Sequence, residues 1–182
     1  MDTKVGIIGK SLEINSTTTL KCTERILPAC SFSLLARKPI LFLGVACKPN
    51  VSDTQESPAL EMLRTITAAI NRGDPSSEVY KTYVKYYDPH VQSIQVPSAG
   101  GKDAYTMYSQ ENVEEAIESA GVVVVCVNHA RFEGLRDSLQ AKVNQKMALE
   151  SELDDVLVSF LSLHEHDCEV FDFCGILKEI NQ

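Results

Sequence analysis

Residues Ile40 to Leu60, ILFLGVACKPNVSDTQESPAL, constrain the fold more than any other stretch of the chain. An apolar run, Ile40 to Leu43, breaks at Gly44, passes through a polar loop and restarts as a helix at Pro58. A run without polar residues cannot turn one face to water, so it reads as a strand buried on both faces of a parallel sheet. Strand, glycine turn and helix start together make the ligand-facing corner of an open α/β sheet. Ser57 suits the N-cap and Pro58 the first helical position. Ala59, Leu63, Ile66 and Ile70 then recur at i, i+4, i+7 and i+11, one helical stripe, and Gly73 of Asn71-Arg72-Gly73 caps its end.

The same alternation continues downstream. Val79 to Tyr87 is β-branched and aromatic, reads as a strand, and stops at the turn signal Asp88-Pro89. Val91, Ile94 and Val96 do not alternate cleanly, which leaves a strand there poorly specified, and Pro97 to Asp103 reads as a polar loop. Gln110 to Ala120 is a short acidic helix with Val113, Ala116 and Ile117 facing inward, followed by a second buried strand over Gly121 to Val127. Phe132 to Leu149 reads as helix, Val156 to Leu163 as helix or strand, Glu169 to Phe173 as a last strand and Ile176 to Ile180 as a helical turn. This order predicts a single α/β domain, a Rossmann-like doubly wound parallel sheet, over residues 38–182. Residues 1–37 form a lead segment of uncertain structure: Lys4 to Gly9 could be a short strand, and the Ser16 to Thr19 cluster could cap a helix over Leu20 to Leu27 that ends near Pro28.

A chain of 182 residues is long enough for one sizeable core. Its net charge of -8 opposes general association with nucleic acid or an anionic membrane. The six cysteines form no CxxC pair, which argues against a structural zinc site and for free thiols in a reducing compartment. The apolar run Val5 to Ile8 is too short for a signal peptide, and Gly121 to Val127 is too short to span a bilayer. These features predict a cytoplasmic protein.

Ligands of open α/β sheets sit outside the carboxyl ends of the strands, here Ala46 to Ser57 and Asn128 to Phe132. Lys48 offers an ammonium for phosphate, and the helix starting at Pro58 a positive dipole end. Asp53 and Glu56 could bind sugar hydroxyls or pair with basic side chains of a neighbouring domain. Equally, Lys48 reads as a solvated cation and the carboxylates as helix-start charges worth roughly 0.3–1 kcal/mol each. His129 could act as a base or hydrogen-bond a ligand, but no partner acid is near it in sequence, and a histidine there more often caps a strand end or hydrogen-bonds the next loop. His164, His166 and Cys168 would share one face of a strand, which fits a metal site or an exposed polar edge. Gly9-Lys10-Ser11 ends like a phosphate loop, but the earlier glycine position is Lys4, and no GxGxxG occurs.

Taken together, GVACKPNVSDTQESPAL is similar to the G-x-A-[FY]-K-P-[DN]-x-x-D-x-R-E-S-P-A-L signature of the nucleotide-sugar dehydrogenases. This is the family of UDP-glucose, UDP-N-acetylmannosamine and GDP-mannose dehydrogenases, and the signature lies in their C-terminal, UDP-binding domain. Tyr87-Asp88-Pro89-His90-Val91, Asn112 to Val127, Asn128 to Phe132 and Asp172-Phe173-Cys174-Gly175 resemble further family motifs in the right order, so the likeness spans Lys38 to Leu177. The wording is closest to the UDP-N-acetylmannosamine dehydrogenases.

The resemblance implies a UDP-sugar ligand, with Lys48, Asp53, Gln55, Glu56 and Ser57 as substrate-binding positions and no metal. Family enzymes oxidise an alcohol to a carboxylate with NAD through a cysteine thioester. Their NAD fingerprint and G-G-x-C nucleophile lie in other domains and are not in this sequence. The chain is therefore expected to be catalytically silent alone, to carry no cofactor, and to partner the missing NAD-binding and central domains or a second copy. Gln55 stands where the family has arginine, Cys47 where it has an aromatic residue and Cys174 where it has a second arginine. A neutral amide cannot replace a guanidinium fork on phosphate. The rival reading is a non-catalytic interaction or scaffold module that kept the fold and lost the nucleotide.

Overall fold

Four consecutive buried residues, Ile40–Leu43, form β1 at the interior of the sheet, and a second all-buried quartet, Val122–Val125, forms β5 beside it. The structure, a computed structural model, describes residues 3–70, 79–97, 104–152 and 169–174. β2 (Val84–Tyr87) flanks β1 on its other side and β6 (Glu169–Asp172) flanks β5, giving a four-stranded sheet in the order β2-β1-β5-β6. Every pairing in it is parallel, and the register sets Ile40 beside both Val84 and Val122. This is the expected α/β parallel sheet, with a small antiparallel pair beside it.

Side chains alternate across the two faces, as the pleat requires. Ile40, Phe42, Val122 and Val124 pack with Ile26 and Cys30 of helix α1 (Thr3–Leu35) and with Leu63 and Ile66 of α2 (Pro58–Ile70). Leu41, Leu43, Val123 and Val125 pack on the opposite face with Val113, Ala116 and Ile117 of the short helix over Val113–Ser119 and with Phe132, Leu135 and Leu139. Burial on both faces is the reason these strands carry no polar residue.

Several elements differ from the sequence expectation. Residues 4–9 are helical, not a strand, and the helix expected over Leu20 to Leu27 runs from Thr3 through Pro28 to Leu35. Its inward stripe is Thr19, Thr23, Ile26, Cys30 and Ser33, at i, i+4, i+7, i+11 and i+14. Three of these residues carry hydroxyls, so hydropathy does not mark the stripe. Burial is tolerated because Thr23 donates to the Thr19 carbonyl at 2.8 Å and Ser33 to the Lys38 carbonyl at 2.8 Å. Gly121 lies against Ser33 and Lys38, where a Cβ would collide, so the end of α1 is seated closely on the start of β5.

Val79–Tyr83 is a short helix, α3, and only Val84–Tyr87 is strand, because β1 offers four residues to pair with. Ser93–Pro97 (β3) does form a strand, whose Ile94 and Val96 are buried between exposed neighbours. Its partner β4 (Ala104–Tyr108), which the sequence reading missed, makes the antiparallel pair with it. The acidic helix is the one over Val113–Ser119, hereafter α4, with Asn112 as N-cap. A 3-10 turn (Ala130–Leu135) leads into α5 (Arg136–Glu152). The cap at Gly73, the loop over 98–103, the run 156–163, the His164, His166 and Cys168 face and the turn over 176–180 lie outside the described residues.

Candidate functional site

Chain direction puts the ends of β1, β2 and β5 at one edge of the sheet, and Gly44 opens the loop there. Its φ of +81° is left-handed, and a Cβ on it would stand 2.7 Å from Val127 Cβ, so no larger residue fits without displacement. The chain then enters a corner organised around Asp88, the first residue past β2, which is 1% exposed. Asp88 Oδ2 accepts from the backbone N–H of Val45 at 2.8 Å and of Ala46 at 3.1 Å, and from His129 Nε2 at 3.1 Å. Asp88 Oδ1 accepts from the N–H of His90 at 2.9 Å and of Val91 at 3.2 Å. A buried carboxylate is stable only when so many donors converge on it. The amides of Val45 and Ala46, which an open α/β corner could offer to a ligand anion, are thus occupied by the chain's own carboxylate.

His129, fully buried, meets Asp88 on one side and the loop after β1 on the other. Its Nδ1 accepts the Asn50 N–H at 3.0 Å. A backbone N–H only donates, so Nδ1 must be unprotonated and the ring proton sits on Nε2, directed at Asp88. Burial lowers the affinity of this ring for a second proton below the ordinary histidine range; Asp88 opposes the shift and His90 adds to it. The acid that the sequence did not place beside His129 is therefore Asp88, brought there by the parallel strands. Both residues follow the carboxyl end of a strand, and that shared position is the signal that could have paired them.

From this buried base the loop rises into solvent. Asn50, at φ +60°, spans the rim by giving its N–H to His129 and accepting the Ala130 N–H on Oδ1 at 2.9 Å. Ser57 holds the far end: its Oγ accepts the Leu60 N–H at 3.2 Å, capping α2 as expected, and donates to the Ala46 carbonyl at 3.2 Å. Ser57 is buried and its hydroxyl is engaged inside the protein, whereas Lys48, Asp53, Gln55 and Glu56 are exposed. Asp53 Oδ1 accepts the Gln55 N–H at 2.9 Å, and its carbonyl accepts the Cys47 N–H at 2.8 Å. Glu56 lies at φ +54°, a left-handed conformation that costs a non-glycine residue energy. The five expected positions thus share one loop and the cap that ends it.

Cys174 follows β6, and its thiol lies 3.5 Å from Asp172 Oδ1 and 3.9 Å from the Val125 carbonyl. A cavity of about 190 Å³ opens nearby between Thr19 and Cys22 of α1, Pro58 and Met62 of α2, Cys126 and Phe173. Burial pushes the Cys126 thiol well above the ordinary range, with Cys174 and Cys22 adding to the shift. Burial, joined by the Glu169 carboxylate, pushes the Cys30 thiol up to about 12. Thiols held protonated are poor nucleophiles. Among the described residues, no group of three or more His, Cys, Asp or Glu could hold a metal ion, and no helix is long and apolar enough to cross a membrane.

Comparison with solved structures finds the UDP-N-acetyl-mannosamine dehydrogenase of Staphylococcus aureus at 21% identity and a TM-score of 0.42, covering 66% of this chain and 23% of that one. The UDP-D-ManNAc dehydrogenase of Pyrococcus horikoshii is found at 21% identity and a TM-score of 0.33, covering 60% and 22%. The GDP-mannose dehydrogenase of Pseudomonas aeruginosa is found at 13% identity and a TM-score of 0.37, covering 87% and 30%. The chain thus spans less than a third of the length of these enzymes. Comparison with curated protein sequences gives no match. Residues 41–152 match the profile described as the UDP-glucose/GDP-mannose dehydrogenase family, UDP binding domain, a stretch that begins in β1 and runs through the whole corner to the end of α5. By that match, over more than half its length, the chain belongs to the UDP-glucose/GDP-mannose dehydrogenase family, as its UDP-binding domain.

Proposed function

We propose that the chain binds a UDP-sugar for an NAD-dependent nucleotide-sugar 6-dehydrogenase that takes an alcohol to a carboxylate, and that it does no chemistry alone. The observation that carries this reading is the loop between Asn50 and Ser57, pinned at one end to His129 and at the other to the Ala46 carbonyl, with Lys48 beside it in solvent. Lys48 would meet phosphate as a point charge. Asp53 and Glu56 would accept sugar hydroxyls, Gln55 would add an amide contact, and Ser57 would support the loop through the cap of α2. The hydride acceptor NAD and the thiol nucleophile would come from the NAD-binding and central domains, in the same assembly or from a second copy. Domain limits of 1–37 and 38–182, a cytoplasmic location and a role in polysaccharide biosynthesis belong to the same reading.

A second reading is favoured by two residues: the domain keeps the fold as an interaction module and has lost the nucleotide. Gln55 is exposed and uncharged, and the thiol of Cys174 is turned to Asp172 and the Val125 carbonyl. Calorimetric titration of the purified chain with UDP and UDP-N-acetylhexosamines separates the two. Heat and a thermal shift at millimolar ligand support the first. Silence that persists when the dehydrogenase half is added in trans supports the second. A Gln55→Arg variant that gains binding would mean that the rim kept its geometry and lost only its charge.

A further inference from the structure

We propose that Asp88 and His129 are positioning residues that hold the loop over 47–57 against the sheet, and that this hold opens when His129 takes a second proton. The consequence for ligand binding rests on the reading above; the hold itself does not.

The hold runs through three buried or rim groups from separate parts of the chain. Asp88 fixes the ring through Nε2, the ring fixes Asn50 through Nδ1, and Asn50 returns to the Ala130 N–H. Asn50 is two residues beyond Lys48 and six before Glu56, so its seat sets where the exposed loop begins. Among the described residues, the titratable groups facing the ring are Asp88 and His90, whose ring centroid lies 5.2 Å away. From the loop it meets the neutral Asn50, and from the 3-10 turn the Phe132 ring in a T-shaped contact with centroids 5.1 Å apart. A second proton must go to Nδ1, since Nε2 already bears one. It would then face the Asn50 N–H, donor against donor at 3.0 Å, while the bond to Asp88 would tighten. One side of the ring therefore stays anchored and the loop side is expelled. Burial and His90 resist that proton, so the hold persists at neutral pH and yields on acidification.

The test follows the full chain by NMR from pH about 7.5 to about 5, reading the His129 ring nitrogens and the amide protection factors of Asn50 and Ala130, with UDP titrated at both ends. The ring should be the Nε2-protonated tautomer at the upper end, and Asn50 protection should fall roughly tenfold as Nδ1 gains its proton. His129→Asn places a non-titrating oxygen near the Nδ1 position, so Asn50 protection should lose its pH dependence. The proposal is overturned if His129 titrates without any change at Asn50, or if the ring carries its proton on Nδ1 at neutral pH. UDP affinity falling in step with Asn50 protection supports both readings. No UDP heat at either pH, with protection still tracking His129, sinks the ligand reading and leaves the hold standing.

Discussion

Two rims of the same corner behave differently. On the inner rim, Asp88 and His129 are buried and bonded to each other and to the backbone of the loop after β1 and of the turn after β2. On the outer rim, a few residues along the same loop, Asp53, Gln55 and Glu56 stand in solvent, and Asp53 accepts the N–H groups of Gln55 and Cys47 from within the loop. A family motif that runs through both therefore mixes residues that build the corner with residues that face solvent. Gln55 and Cys47 depart from the family pattern on or near the outer rim, while Gly44, Asp88 and His129 match it on the inner one.

Substitutions can break or sharpen that division. The largest effect is expected from Asp88→Asn, which leaves one oxygen to serve five donors and turns an amide N–H toward the rest. Urea unfolding should show a loss of about 3–5 kcal/mol. A loss below about 1 kcal/mol would mean the inner rim is not what holds the corner. Gly44→Ala comes next, with about 1–3 kcal/mol lost to the left-handed backbone, and more if Val127 cannot give way. An unchanged melting temperature would count against the close approach at that turn. Ser57→Ala, between the rims, should cost about 1 kcal/mol through the lost cap of α2. Smallest and opposite in sign, Glu56→Gly should gain a few tenths to about 1 kcal/mol by relieving the positive φ. A destabilised Glu56→Gly chain would place that residue with the builders after all.

How much of this was legible follows from which interactions are local. β1, β5 and the capped start of α2 could be read because all-apolar quartets and a Ser-Pro helix start are short-range signals. The line of α1 could not, because Thr19, Thr23 and Ser33 line its buried face, and Thr23 and Ser33 bond to backbone carbonyls near them in the chain. Residues 79–83 carry strand-forming side chains, yet pairing stops where β1 stops, so tertiary supply overrode propensity. The Asp88–His129 pair joins residues 41 apart and becomes visible only once β2 and β5 are known to flank the same strand.

The carboxylate of Asp88, seated on the amides of Val45 and Ala46, has a consequence for how this domain can change over time. Where a glycine-rich corner wraps its backbone around a phosphate, folding and recognition share the same atoms, and losing the ligand leaves bare amides behind. Here the counter-charge is built in. The sheet is insulated from the exposed rim, so exchanges at surface positions such as Gln55 can change that rim one residue at a time without loosening the strands beneath.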